Sequence, residues 1–198
     1  MTRPTEEPRT IWPPAEVFYI HSMLFNSRSA VTSIDRVSAI FKAISEGTAG
    51  EKGGEREMDE ILNNLQNIIV NGAALSRFLW PPRKEHAWRG AQIQRSLGIS
   101  DSSPLRSRDL RNDIEHIDER LDEYLEKGLV GYVHPQYVGP TQSSEVPTHF
   151  FRAYFVDTGH FQLLGKKYDI PPLAEAIVEL HDKLLACDTN GGRFKCAT

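Results

Sequence analysis

Apolar residues recur every three or four positions over two long stretches in the first half of the chain. The first stretch begins at Pro13-Pro14 and continues to about Glu46, and the second runs from Glu57 to Leu79 and stops at a Trp-Pro-Pro sequence. This spacing puts the apolar side chains on one face of a helix. Proline favours the first turn of a helix and prevents its continuation. The pattern therefore predicts two long amphipathic helices that form an antiparallel pair, joined by a glycine-rich loop.

Three further helices and one hairpin are predicted in the rest of the chain. The helices cover residues 86–97, 104–127 and 171–186, and the fourth begins after an Asp-Ser-Ser sequence that suits a helix N-cap. Alternating apolar residues at 149–156 and 160–164 flank Asp157-Thr-Gly159 and predict a two-stranded hairpin, whereas 130–146 reads as an irregular connection.

These elements predict one mainly helical domain over residues 13–187. We expect a bundle of four to five helices with a small appended β-hairpin near 149–165, and flexible ends at 1–12 and 188–198. The composition, with 39% hydrophobic and 25% charged residues, is that of an ordinary soluble protein. Since no apolar stretch approaches the roughly 20 residues that span a bilayer, we expect a cytoplasmic protein without membrane contact.

Cysteine and histidine are too sparse or too scattered to indicate a metal site. The two cysteines, Cys187 and Cys196, lie near the C-terminus and are expected to be unbridged thiols. The closest approach to a helical metal motif is Asp113 with His116, which lacks the second pair that a two-metal bundle needs. We therefore predict no metal and no cofactor.

Charge is distributed unevenly along the chain. Although the net charge is −4, residues 77–111 carry eight basic residues against three acidic ones, so this segment has a charge of +5. A basic segment is typical of a surface that binds a phosphate backbone. It is equally typical of a solvated arginine-rich connection, and charge alone does not separate the two interpretations.

The basic segment leads into residues 111–116, Arg-Asn-Asp-Ile-Glu-His. On the predicted fourth helix, an apolar stripe that includes Leu121 and Tyr124 forms the buried face, while Arg111, Asn112 and His116 lie off that face. The core does not need these three side chains. One interpretation is an ordinary solvated face, in which Arg111 pairs with a glutamate one turn later.

The other interpretation is cleavage of RNA without a metal ion. Histidine can transfer protons near neutral pH, so His116 is a candidate general base or acid. Arg111 is a candidate clamp for phosphate oxygens because its planar cation binds them in pairs. Asn112, one turn before the histidine, could orient the imidazole. Since one chain supplies a single histidine in this motif, two chains meeting across a two-fold axis would supply the second, and we expect a homodimer.

The arrangement Arg111-Asn112-x-x-x-His116 resembles the signature of HEPN domains, a superfamily of helical bundles that includes metal-independent ribonucleases. The longer run from Trp80 through Asp122 is similar to a group of uncharacterised bacterial proteins. The resemblance implies an active site in a dimer groove, with RNA as substrate and a protein regulator as a further partner. Arg106 and Arg108 are candidates for contacts to the RNA backbone. Many HEPN domains are scaffolds, so the alternative is a non-catalytic interaction protein.

Overall fold

The computed structural model describes residues 9–47, 54–107 and 116–194. Within these ranges the fold is mainly α, as predicted, with a small sheet inserted before the last helix. The elements are α1 (Glu16–Ser45), α2 (Gly54–Leu79), α3 (Ala87–Leu97), α4 (Ile117–Glu126), β1 (Tyr132–Gly139), β2 (Thr148–Phe155), β3 (His160–Leu163), β4 (Lys166–Asp169) and α5 (Ile170–Thr189).

The core lies between α1, α2 and α5. Apolar residues at helical spacing on these three helices are fully buried, among them Ile20, Leu24, Leu65, Ile69, Leu75, Ile177 and Leu180. Burying each such side chain stabilises the fold by about 1.5–3 kcal/mol before entropy is counted. α2 runs antiparallel to α1, since Arg36 contacts Glu60 while Ser29, earlier on α1, contacts Asn71, later on α2. The predicted antiparallel pair is confirmed.

A polar ladder runs through the interface between α1 and α2. The Asn67 amide donates to Ser33 Oγ at 2.8 Å and to Ser29 Oγ at 3.1 Å, and the Asn71 amide donates to Asn67 Oδ1 at 2.9 Å. Ser33 and Asn71 are buried. Because buried polar groups are costly unless they are hydrogen-bonded, this ladder fixes which faces of the two helices meet.

The sheet has four strands in the order β1-β2-β3-β4. β2 and β3 form the predicted antiparallel hairpin, and β4 continues it antiparallel to β3. β1 lies parallel to β2 at the other edge. The prediction of an irregular connection over 130–146 is wrong for residues 132–139. β1 shows no alternation of buried and exposed residues, since none of its residues is buried, and Pro135 has no partner in its pairing with β2.

The connection from β1 to β2 is unusually short for parallel neighbours. It consists of residues 140–147 and must return along the full eight-residue length of β1, which is about 26 Å at the rise of a strand. Eight residues span that distance only when nearly extended, whereas such crossovers usually take a dozen or more. Asp157 holds the start of the return, since its Oδ1 accepts from the N–H and the hydroxyl of Thr141.

A second, smaller core forms around β1 and β2. Phe150, Ala153 and Phe155 are buried together and Tyr137 packs against them. Phe150 and Phe155 are five positions apart, so a regular strand would place them on opposite faces. Their rings nevertheless contact each other, with centroids 5.4 Å apart. The aromatic residues of the hairpin therefore serve packing.

The helix predicted over residues 104–127 does not form as one continuous element. Pro104–Arg106 is a single 3-10 turn, and Ser107 is extended with ψ of 117°. α4 begins only at Ile117, and His116 before it has non-helical angles of φ −120° and ψ 38°. Isolated helices are marginal without tertiary packing, and no residue of α4 is buried. Residues 108–115 lie outside the described ranges.

Both ends of the described chain contact the helices, and the flexibility predicted for residues 1–12 and 188–198 stays a prediction. Ile11 is buried, and its N–H donates to Gln92 Oε1 at 2.7 Å. α5 extends to Thr189, and the buried Phe194 donates its N–H to Glu16 Oε2 at 3.0 Å. Residues 1–8 and 195–198 lie outside the described ranges.

Candidate functional site

Of the sequence-predicted site residues, the structure describes His116 and Arg106. Arg108, Arg111 and Asn112 lie outside the described residues. His116 occupies the N-cap position of α4, and its side chain is 53% exposed. The prediction that the core does not need this imidazole is confirmed.

His116 has one acidic neighbour on its own helix. Its Nδ1 lies 3.5 Å from Glu119 Oε2, within ion-pair distance when the ring is protonated. Such a contact orients the imidazole and directs its other nitrogen, Nε2, away from the carboxylate. An exposed, oriented imidazole is able to exchange protons with a bound substrate.

Arg106 is engaged by the loop that precedes it. Its guanidinium donates to the carbonyl oxygen of Asp101 at 3.2 Å and lies 3.4 Å from the Asp101 carboxylate. The same carboxylate accepts from Trp80 Nε1 at 3.0 Å. Arg106 therefore helps to fix the loop after α3, and a phosphate would have to share it with Asp101.

The apolar face predicted for the motif helix is not buried. In α4, Ile117, Leu121 and Tyr124 are half-buried, and Leu125 is 50% exposed. The prediction of a buried face is wrong for the described part of this helix, where Ile117 packs against the core but is itself only partly buried. The apolar stripe reflects spacing alone, which does not reveal whether a partner element exists.

The side chains of α4 divide around the helix into three faces. The acidic residues Asp118, Asp122 and Glu126 lie on one face, and the half-buried apolar residues lie on another. The third face carries a stripe about 60° wide that begins at the N-cap histidine. In order along the helix, the residues of this stripe are His116, Arg120, Glu123 and Lys127.

Three residues of this stripe, Arg120, Glu123 and Lys127, line a cavity of about 260 Å³ between α4 and the β3–β4 turn. We name it the α4–β4 cleft. It is lined by Arg120, Glu123, Tyr124 and Lys127 from α4 and by Leu163, Leu164 and Lys166 from the hairpin. Arg120 Nη1 donates to Glu123 Oε2 at 2.7 Å. The lining thus contains three cationic side chains and one carboxylate, in a chain whose net charge is −4.

Two residues give the α4–β4 cleft its apolar wall. Partial burial raises the pKa of Tyr124, whose ring stands edge-on to His149 with centroids 6.3 Å apart. Leu164 has φ of 49°, a left-handed conformation that a bulky side chain rarely adopts, and Gly165 after it has φ of 80°. Asparagine is the usual residue at the first position of such a two-residue turn. Leu164 occupies this position instead, where its side chain packs against the core and lines the cleft.

A second cavity of about 390 Å³ adjoins the first, since Lys166 lines both. Its lining residues come from the turn after α3, from β4 and from the start of α5: Pro104, Ser107, Lys166, Lys167, Tyr168, Asp169, Pro172 and Leu173. Lys166 and Lys167 of β4 therefore lie between the stripe on α4 and the turn that contains Arg106.

Sequence reasoning missed Arg120, Tyr124, Lys127 and Lys166 as site residues. The spacing of His116, Arg120 and Lys127 was a usable signal, because residues four and eleven apart share a helix face. Lys166 gave no such signal, since β4 was not predicted and only the fold brings it to α4.

The described ranges show neither a metal centre nor a membrane span. Within them, no group of three or more His, Cys, Asp or Glu side chains is placed to hold a metal ion. Among the helices described, none is long and apolar enough to cross a membrane. Cys187 is a buried thiol, and Cys196 lies outside the described residues.

No family model, curated protein or solved structure matches this chain. The resemblance to HEPN domains consequently rests on the motif residues alone and stays a prediction. What the site is able to do follows from its own side chains.

Proposed function

We propose that this protein binds RNA and cleaves it without a metal ion, using Arg111, Asn112 and His116. The observation that carries the proposal is the position of His116. Its imidazole is exposed and outside the core, and it heads the same stripe of α4 as Arg120 and Lys127. A proton-transferring group and phosphate-binding groups thus share one surface.

The chemistry requires two proton transfers and one site of charge stabilisation. The 2′-hydroxyl loses its proton to a base and attacks phosphorus, and the 5′-oxygen leaves with a proton from an acid. The products are a 2′,3′-cyclic phosphate and a 5′-hydroxyl. In this proposal His116 transfers one proton, Arg111 stabilises the phosphate oxygens, and Asn112 orients the imidazole.

The second proton transfer comes from another copy of the chain. Each chain contributes one motif histidine, so a homodimer whose motifs face each other holds the base and the acid in one groove. The expected assembly is therefore a two-fold dimer, the commonest symmetry for soluble homo-oligomers.

The test is incubation of purified protein with labelled total RNA in EDTA. Wild type is compared with His116→Ala and Arg111→Ala. The matched control is His86→Ala, which removes an exposed histidine that likewise lies beside a carboxylate, 3.4 Å from Glu85 Oε1. We expect discrete cleavage with 2′,3′-cyclic ends in wild type and in the control, and none in the other two variants. Full activity of His116→Ala would remove this residue from the mechanism.

A second function, a non-catalytic interaction protein, is favoured by the apolar surface that the described elements leave uncovered. α4 has no buried residue, and Leu125, Val130, Tyr132 and Val133 are all exposed. In this alternative α4 and β1 bind a partner protein or a second copy. Sedimentation of Leu125→Ser/Val133→Ser beside wild type tests it for self-association. An unchanged mass, together with RNA cleavage by wild type, would reject this alternative.

A further inference from the structure

We infer that the α4–β4 cleft binds a phosphodiester group of single-stranded RNA. The inference rests on the proposed function and names where the strand lies. The residues that carry it are Arg120, Lys127 and Lys166, which line the cavity from two different elements. None of them belongs to the Arg111/Asn112/His116 motif.

The electrostatics of the cleft favour an anion. The acidic residues Asp118, Asp122 and Glu126 lie on another face of α4, and Glu119 lies between that face and the stripe, beside His116. Glu123 is the carboxylate in the described lining, and its bond to Arg120 holds the guanidinium in one orientation. A guanidinium fixed in this way is suited to paired hydrogen bonds with phosphate oxygens, and the two lysines add charge without directional demands.

The dimensions favour a single strand. A cavity of about 260 Å³ is smaller than the roughly 300–1,000 Å³ that holds a drug-sized ligand. It therefore suits one phosphate with part of its sugar. The Tyr124 ring and the Leu164 side chain form an apolar wall on which an unstacked base can lie. A duplex keeps its bases stacked inside and offers none to such a wall.

The proposed catalytic group lies one helical turn before the cleft, which His116 itself does not line. Arg120 follows His116 by four residues, about 6 Å along the helix axis, and the side chains share one stripe. A phosphate held at Arg120 thus brings a neighbouring phosphodiester to the imidazole. In the other direction, Lys166 and Lys167 lead into the adjoining cavity of about 390 Å³.

The first experiment measures binding of a labelled single-stranded RNA across a range of salt concentrations. Wild type is compared with Lys127→Gln/Lys166→Gln and with the charge-matched control Lys42→Gln/Lys183→Gln, whose residues lie outside the cleft and outside the basic segment. Each phosphate contact to a single strand contributes about −0.7 to the slope of log K against log salt. The cleft variant should bind roughly tenfold more weakly at low salt, with a slope shallower by about 1.4. The control should match wild type.

The second experiment separates an RNA phosphate from a free phosphate compound. Backbone amide spectra of wild type are recorded during titration with inorganic pyrophosphate and, separately, with the RNA. We expect the RNA to shift the amides of residues 120–127 and 163–167 at far lower concentration than pyrophosphate does. Circular dichroism confirms that both double variants are folded.

Each other result has a distinct meaning. RNA binding with the same salt slope in wild type and cleft variant would overturn the cleft and leave the proposed function standing. Pyrophosphate shifts at the cleft without any RNA binding would assign the cleft to free phosphate compounds and overturn both. Absence of shifts with either probe would also overturn the cleft.

Discussion

The helices α1, α2 and α5, which we name the helical core, contrast with α4 and β1, the outer region. Side chains such as Ile20, Leu75 and Leu180 in the helical core are fully buried. In the outer region α4 has no buried residue, and β1 none either. Stability therefore resides in one part of the molecule and the candidate chemistry in another. Substitutions that probe the α4–β4 cleft should consequently leave the fold intact.

The difference in stability between the helical core and the outer region is tested most directly by the same substitution, leucine to alanine, in each. Leu75 is fully buried on α2, whereas Leu125 on α4 is 50% exposed. We expect Leu75→Ala to lower the free energy of unfolding by about 2–5 kcal/mol, because it removes buried apolar surface and leaves a cavity. Leu125→Ala should change it by less than about 0.5 kcal/mol. Urea unfolding measures both, and equal losses would show that α4 belongs to the core.

The same contrast explains what was predictable from the sequence. α1, α2, α3 and α5 were predicted because their apolar residues recur with the helical period and face a real core. The β2–β3 hairpin was predicted from alternation around a turn sequence. β1 and β4 were missed because exposed edge strands carry little alternation, and the division of the fourth helix at Ser107 was missed because spacing does not report burial.

The candidate site was predictable only in part. His116 was identified from its position off the apolar stripe, and its exposure is confirmed. The cleft beside it depends on Lys166, which is 50 positions away in sequence from His116. No local pattern joins residues that only the tertiary fold brings together.

A smaller loss of stability is expected where Glu16, at the start of α1, binds the segment that follows α5. Glu16 is buried and accepts from Arg193 Nε at 2.7 Å and from the N–H of Phe194 at 3.0 Å. Glu16→Ala leaves that buried N–H without its acceptor, which should cost about 1–3 kcal/mol. The control is Glu46→Ala, which removes an exposed carboxylate 3.9 Å from Lys42. Chemical denaturation distinguishes them, and equal stabilities would mean that the C-terminal segment contributes nothing to the fold.

The polar ladder of the helical core should matter less than this buried carboxylate. Asn67→Ala removes the amide that donates to Ser29 and Ser33, and we expect a loss of about 1 kcal/mol. Asn63→Ala, at an exposed position of the same helix, is the matched control and should cost nothing measurable. Thermal unfolding of the two variants gives the comparison. A tolerated Asn67→Ala would indicate that apolar packing alone aligns α1 with α2.

The finest test concerns how the outer region is held at β1, where no residue is fully buried. Desolvation raises the pKa of Asp157, but the hydrogen bonds that its carboxylate accepts, chiefly from Thr141, outweigh it and leave the pKa below its ordinary value. A depressed pKa means that the folded state prefers the ionised carboxylate. Its contribution is therefore complete above the unfolded pKa and is lost as the pH falls through the folded one.

Thr141→Val removes the hydroxyl donor and keeps the backbone N–H, so the pKa of Asp157 should rise towards its ordinary value. Thr148→Val, whose hydroxyl donates to Val146 instead, should leave it unchanged. The pKa is read from the carboxyl carbon of Asp157 by NMR titration. If the bond holds the start of the return from β1, the amides of β1 should lose their protection from exchange, relative to the intrinsic rate at each pH, before those of α2 as the pH falls. Loss of protection in both elements at one pH would mean that the outer region and the helical core open as a single unit.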